Sequence, residues 1–158
     1  MNLKFHIFFS LLLILSSCSI SDNEFVKEID KAERIEITET FHGGIGGSGE
    51  IKYILKRSGY FPENIDWILI RDEDTQFQTY ILIDSIQLSN FRLFFNEALE
   101  THDPKREYQN SCTFTGPNPN EYDIIVNDYS RHLQPNEKTD SLFYTLTKEF
   151  CLGKHVFE

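Results

Sequence analysis

Basic residues are scarce in this chain: 15 Lys and Arg stand against 25 Asp and Glu, a formal net charge of −10. Nucleic-acid binding requires Lys and Arg to neutralise phosphates, and an electrostatic grip on anionic lipid requires a polybasic cluster. Neither fits this balance. Long apolar runs are missing too. Residues 5–15 are apolar apart from His6 and Ser10, about eleven residues where a membrane-spanning helix needs roughly 20. Assembled catalytic and metal signatures are equally lacking. His42, His102, His132 and His155 fall in separate segments without HExxH or another zinc-ligand spacing, so no metal site is expected. The acidic run Asp72-Glu73-Asp74 fails the EF-hand pattern, because position six of such a loop would be Phe77 and position twelve Ile83. Ser48 is not set in a GxSxG elbow.

What the chain does contain begins at its N-terminus. Lys4 precedes the apolar stretch, which ends in Leu15-Ser16-Ser17-Cys18. Charged start, short apolar centre and small residues make the three parts of a secretory signal. The last four residues resemble the lipobox of bacterial lipoproteins, and the usage of Asn, Ile and Phe resembles that of small Bacteroidota lipoproteins. The resemblance covers the first eighteen residues. It implies diacylglycerylation of the Cys18 thiol, cleavage just before it and acylation of the new amine, with palmitate-type chains. Two or more chains make membrane anchoring stable where one does not. Cleavage removes Lys4 and no carboxylate, taking the charge from −10 to −11. The expected location is the bacterial cell envelope, facing the periplasm or the cell exterior. With Cys18 consumed by lipid, Cys112 and Cys151 form an even pair in a compartment where disulfides persist. The expectation is a Cys112–Cys151 bridge; two buried thiols behaving as small apolar residues are the alternative.

The organisation expected is residues 1–17 as signal, 18–34 as lipidated Cys and tether, and 35–158 as one domain. Residues 19–24 are polar and read as flexible, while 25–34 are compatible with a short helix. With 40% hydrophobic and 14% aromatic residues, the composition is that of a folded domain. From Ile35 the apolar period is two: Ile35, Ile37 and Phe41 share one face, then Ile51, Tyr53 and Leu55. Glu39 falls on the apolar face of the first strand, which suggests that this end lies near a sheet edge. Further strands are expected over 66–71 and 77–84, with Trp67 and Ile81 in the core, and over 111–115, 122–126 and 129–133. Asn127-Asp128 makes a tight turn between the last two. Phe91, Phe94, Phe95, Ala98 and Leu99 form a helical stripe, with Ser89 as cap and Leu88 stapled to Leu93. A last helix is expected over 139–152, burying Leu142, Phe143, Leu146 and Phe150. These elements predict an α+β fold: an antiparallel sheet of about seven strands with two helices packed on one face.

The sharpest motif lies in the glycine-rich stretch. Gly44-Ile45-Gly46-Gly47-Ser48-Gly49 matches GxGxxG, but a dinucleotide site needs the last glycine to open a helix. Residues 50–56 instead alternate as a strand, so no nucleotide cofactor is expected and the stretch reads as a hairpin connection. The candidate binding loop comprises His42, Gly43, Gly44, Gly46, Gly47, Ser48 and Gly49, since glycines let a ligand approach the backbone closely. The loop at 116–120 is a second candidate. The functional expectation is a membrane-tethered binding or interaction domain whose partner is a protein or small molecule, a basic one being compatible with the charge. A small envelope hydrolase built from dispersed carboxylates and histidines is the rival, and a structural envelope component the third reading. Metabolic labelling with a fatty-acid probe checks the anchor: wild type takes up the probe, and Cys18→Ala abolishes both labelling and normal processing.

Overall fold

The structure, a computed structural model, describes residues 20–42, 48–59, 67–72, 79–105 and 120–151. They form six strands and three helices: α1 (Asp22–Lys31), β1 (Arg34–Phe41), β2 (Gly49–Arg57), β3 (Trp67–Asp72), β4 (Thr79–Ile83), α2 (Ser85–Glu100), β5 (Glu121–Val126), β6 (Tyr129–Leu133) and α3 (Glu137–Cys151). All strand pairs are antiparallel. Their order across the sheet is β4-β3-β2-β1-β5-β6. The chain runs β1 to β4 as a meander, crosses through α2, and returns to place β5 on the free side of β1. The α+β class is as expected; the strand expected over 111–115 lies outside the described residues.

The period-two pattern places its apolar residues as the pleat requires. Ile35 and Ile37 pair with Leu55 and Tyr53 on one side of β1, and with Val126 and Ile124 on the other. These side chains join Trp67, Leu69, Ile81, Ile83 and Leu133 in one core with Phe91, Phe94, Phe95 and Phe143 of the helices. The aromatic rings interlock at its centre. Phe94 lies 4.8 Å from Phe143 and 5.1 Å from Tyr122, and Tyr122 lies 5.1 Å from Phe143, ring centre to ring centre. Such tilted and edge-on pairs are the favoured geometry of aromatic quadrupoles. On the outer face of the sheet a smaller group, Ile54, Ile68 and Ile70, packs with Tyr80 and Leu82.

The helices depart from expectation at their starts, and each departure has a polar cause. Helix α1 begins within the stretch read as a flexible tether. Ser21 caps it: the Ser21 Oγ accepts from the Glu24 N–H at 3.3 Å, and Glu24 Oε2 accepts from the Ser21 N–H at 2.9 Å. Phe25, Ile29 and Ala32 then enter the core at 0%, 6% and 1% exposure. The folded body therefore includes residues upstream of 35. Helix α2 starts four residues before Ser89. Asp84 Oδ1 accepts from the Gln87 N–H at 2.7 Å, and Gln87 Oε1 accepts from the Asp84 N–H at 3.0 Å. This extra turn exposes Ile86, which hides it from a reading by apolar period. Leu93 is half exposed, and Leu88, which lies inside the helix, packs on the core. At α3, Asn136 Oδ1 accepts from the N–H groups of Lys138 and Thr139 at 3.0 and 3.2 Å, starting the helix at Glu137. Phe143, Leu146 and Phe150 are buried as expected, whereas Leu142 is half-buried.

Residues Asn127 and Asp128 turn β5 into β6, pairing Val126 with Tyr129. Asn127 takes a positive φ of 53°, a conformation that Asn tolerates better than most residues. Its Nδ2 donates to Glu28 Oε2 at 3.1 Å, tying the hairpin to α1. The place of α1 in the core gives a clear test. Phe25→Ala should lower unfolding stability by about 3–5 kcal/mol in a urea titration, the cost of truncating a buried phenyl ring. A tether residue would show no change.

Candidate functional site

Glu39 occupies the core-facing side of β1, as its period predicts, but β1 is a central strand. The edge suggested by the sequence is therefore corrected: the carboxylate is tolerated through partners, not through a sheet margin. In register it lies between Ile51 of β2 and Tyr122 of β5. Asn120 Nδ2 donates to its Oε1 at 2.7 Å, and the Tyr53 hydroxyl reaches its Oε2 at 3.4 Å. Asp140 approaches from the first turn of α3. Its Oδ2 accepts from the Asn120 N–H and its Oδ1 from the Tyr122 hydroxyl, both at 3.0 Å. Asn120 thus bridges the two carboxylates, giving its side chain to one and its backbone to the other.

Electrostatics sets the state of Glu39. Burial pushes the Glu39 carboxyl above its ordinary range; the Asn120 hydrogen bond opposes this, the Asp140 charge adds to it, and Tyr53 and Arg71 draw it back. Arg71 is on the same face of β3, opposite Tyr53 in register. The Tyr122 hydroxyl is also raised, chiefly by burial and then by the Asp140 and Glu39 charges, so it remains a proton donor at any physiological pH. Each of the four carboxylate oxygens accepts at least one hydrogen bond from the fold. The sequence signal for this cluster was the single polar break at Glu39. Asp140, Asn120 and Tyr122 are 81 or more residues further along and carried no mark of it.

A second polar group forms on the outer face at the same end of the sheet. His42 Nε2 lies 3.2 Å from Glu121 Oε1, and His132 Nε2 lies 3.5 Å from Glu121 Oε2. His132 Nδ1 is 2.9 Å from Asp123 Oδ1. Gln134 Nε2 donates to Glu121 Oε1 at 3.2 Å. The antiparallel register explains the gathering: Thr40 pairs with Glu121 and Asp123 with His132, so residues remote in sequence share one face. No group of three or more His, Cys, Asp or Glu side chains among the described residues is arranged to hold a metal ion.

Of the candidate loop, His42 stands at this outer group, Ser48 is exposed and Gly49 opens β2. Gly43, Gly44, Gly46 and Gly47 lie outside the described residues, as do Cys18 and Cys112 and the side chain of Cys151. Gly49 has a packing reason of its own. It pairs with Phe41 across the strands, and a Cβ there would come 2.5 Å from Phe41 Cζ. The motif's last glycine thus makes room for an aromatic ring at the start of a strand, where a pyrophosphate would find no helix N-terminus. A cleft of about 40 Å³, between α1, α2 and the starts of β1 and β3, is lined by Ile29, Ile35, Leu55, Trp67, Phe91 and Phe95 among others. Such a volume suits a water or two, not a substrate.

No protein-family model matches the chain, and no curated protein is significantly similar to it.

Glu39 makes a pH prediction. Its folded-state carboxyl is raised above the ordinary 4.5, so the folded state holds the proton more tightly than the unfolded chain. Stability from this group is present below that value and declines as pH rises through the folded pKa. Glu39→Gln removes the slope. Urea midpoints at several pH values should show the variant gaining on wild type from about pH 4.5 towards neutrality; a gap widening in the opposite direction would mean that the charged form is the stabilised one.

Proposed function

We propose that the protein is a membrane-tethered extracytoplasmic lipoprotein whose domain acts by binding, with its contact surface at the outer face around His42. One observation carries the choice of surface. The three helices pack on one side of the sheet, while the other side, over β1, β5 and β6, presents His42, Glu121, Asp123 and His132 at the root of the glycine-rich connection. Histidines and carboxylates at part exposure set ionic and hydrogen-bonding groups where a partner can reach them. His132 and Asp123 keep about half of their side-chain surface in solvent. A basic or polar partner fits the acidic balance of the chain. Ile125, 43% exposed on the same face, adds apolar contact area.

A small envelope hydrolase is the second reading, and the Glu39–Asp140 pair is what favours it. A buried carboxyl of raised proton affinity standing close to a second carboxyl is a usual basis of acid–base chemistry. The two readings use opposite faces of the sheet, which makes them separable. A photo-crosslinking residue in place of Asp123 or Ser48, in the full chain in its native cell, should capture one discrete partner. The same residue in place of Leu93 on α2 should not, and Glu39→Gln should leave capture unchanged. Capture equal from α2 and from the outer face would overturn the binding surface. Turnover of envelope polymer lost in Glu39→Gln would establish the hydrolase instead.

A further inference from the structure

The start of the folded body bears on how the domain sits at its membrane. Ile20 is partly buried against the core, two residues after Cys18. Its carbonyl accepts a hydrogen bond from Arg131 Nη2 on β6, the last of the described strands on that side of the sheet. Arg131 Nε lies 3.6 Å from Asp22 Oδ1, and the guanidinium stands 5.4 Å from the centre of the Phe25 ring. Ser21 is committed to capping α1. The backbone is therefore docked from Ile20 onward, by a carbonyl bond, a cap, an ion pair and an apolar contact.

We infer that the bilayer headgroups are themselves a partner surface: the lipid on Cys18 holds the domain flush against the membrane through the corner made by the N-terminus of α1 and strand β6. This rests on the reading of Cys18 as the lipid-bearing residue. Two residues of fully extended chain span at most about 7 Å. The headgroup layer on each side of a bilayer is about 5–7 Å deep. A docked Ile20 joined to a lipidated Cys18 by so short a leash has no room to leave that layer. A flexible linker of about twelve residues would have a root-mean-square length near 19 Å and would free the body to tumble. The residues beside the leash, Asp22, Asn23 and Glu24, are exposed, and in the flush arrangement they are the ones that face the headgroup layer. The same geometry places the proposed contact surface. His132 follows Arg131 on β6 and points to the opposite face, so the outer histidine group starts on the anchored strand itself. The root of the glycine-rich connection, two strands across and four residues along from Arg131 in register, is about 17 Å away. A partner taken there is one that reaches the membrane surface.

The test uses the full lipidated chain in phosphatidylethanolamine–phosphatidylglycerol vesicles carrying nitroxide-labelled headgroups, with a fluorescent unnatural amino acid in place of Asn23. Strong quenching is expected. Inserting about twelve Gly and Ser residues between Ser19 and Ile20 should cut the quenching at least about twofold while the unfolding midpoint stays unchanged. Equal quenching with and without the insertion, in protein that co-floats with the vesicles, would overturn the flush arrangement and leave the anchor intact. Wild-type protein that neither co-floats nor carries lipid would overturn both.

Discussion

Tyr122 is the residue on which the two halves of this structure depend. Its ring is fully buried between Phe94 and Phe143, and its hydroxyl donates to Asp140. A buried hydroxyl without a partner costs a few kcal/mol, comparable to the whole benefit of burying a large side chain. The ring therefore enters the core only where an acceptor meets its far end, and that acceptor is Asp140. That requirement fixes the first turn of α3 over the start of β5, and with it the position of Phe143 one turn further on. Asp140 in turn brings Asn120, and Asn120 makes Glu39 tolerable on the core side of a central strand. The apolar core and the polar cluster are consequences of one another.

Packing all three helices on one face divides the protein chemically. The inner layer is a continuous aromatic and aliphatic core that ends in two acids bridged by Asn120. Those acids hold strands β1, β2 and β5 to α3, so their oxygens serve the fold first. The outer face is divided in turn. Over β2, β3 and β4 it carries Ile54, Ile68 and Ile70, whereas over β1, β5 and β6 it carries threonines, carboxylates and histidines. The cross-strand pair at the border of the two halves, Glu36 with Lys52 at 2.6 Å, is part-exposed and contributes little to stability. Residues of that kind are available for recognition, because losing them costs the fold little. A binding role on the polar half of the outer face and a short leash at β6 are compatible parts of one proposal, in which a tethered domain would meet its partner at the membrane.

Much of the architecture was legible along the chain because it follows from local periodicity. Alternating residues in β1, β2 and β5 can bury their apolar sides only as pleated strands. The stripe from Phe91 to Leu99 closes on one side only as a helix. Asn127 and Asp128 make a tight turn wherever they stand between two such strands, and residues 49–57 could not supply the helix that the glycine motif would need. The helix starts were less legible. Caps at Ser21, Asp84 and Asn136 act through two or three side-chain hydrogen bonds, and apolar period is blind to them.

Both polar groups were beyond any local reading. Glu39, Asn120, Tyr122 and Asp140 meet because β5, late in sequence, pairs with β1, and α3 covers their ends. His42, Glu121 and His132 meet because antiparallel register sets every second residue of three strands on one face. The chain alone determined which residues must be buried, since burial is a matter of each segment's own pattern. Which polar residues would share that burial, and which would stand together in solvent, was decided by strand order, a long-range choice that only the assembled core enforces.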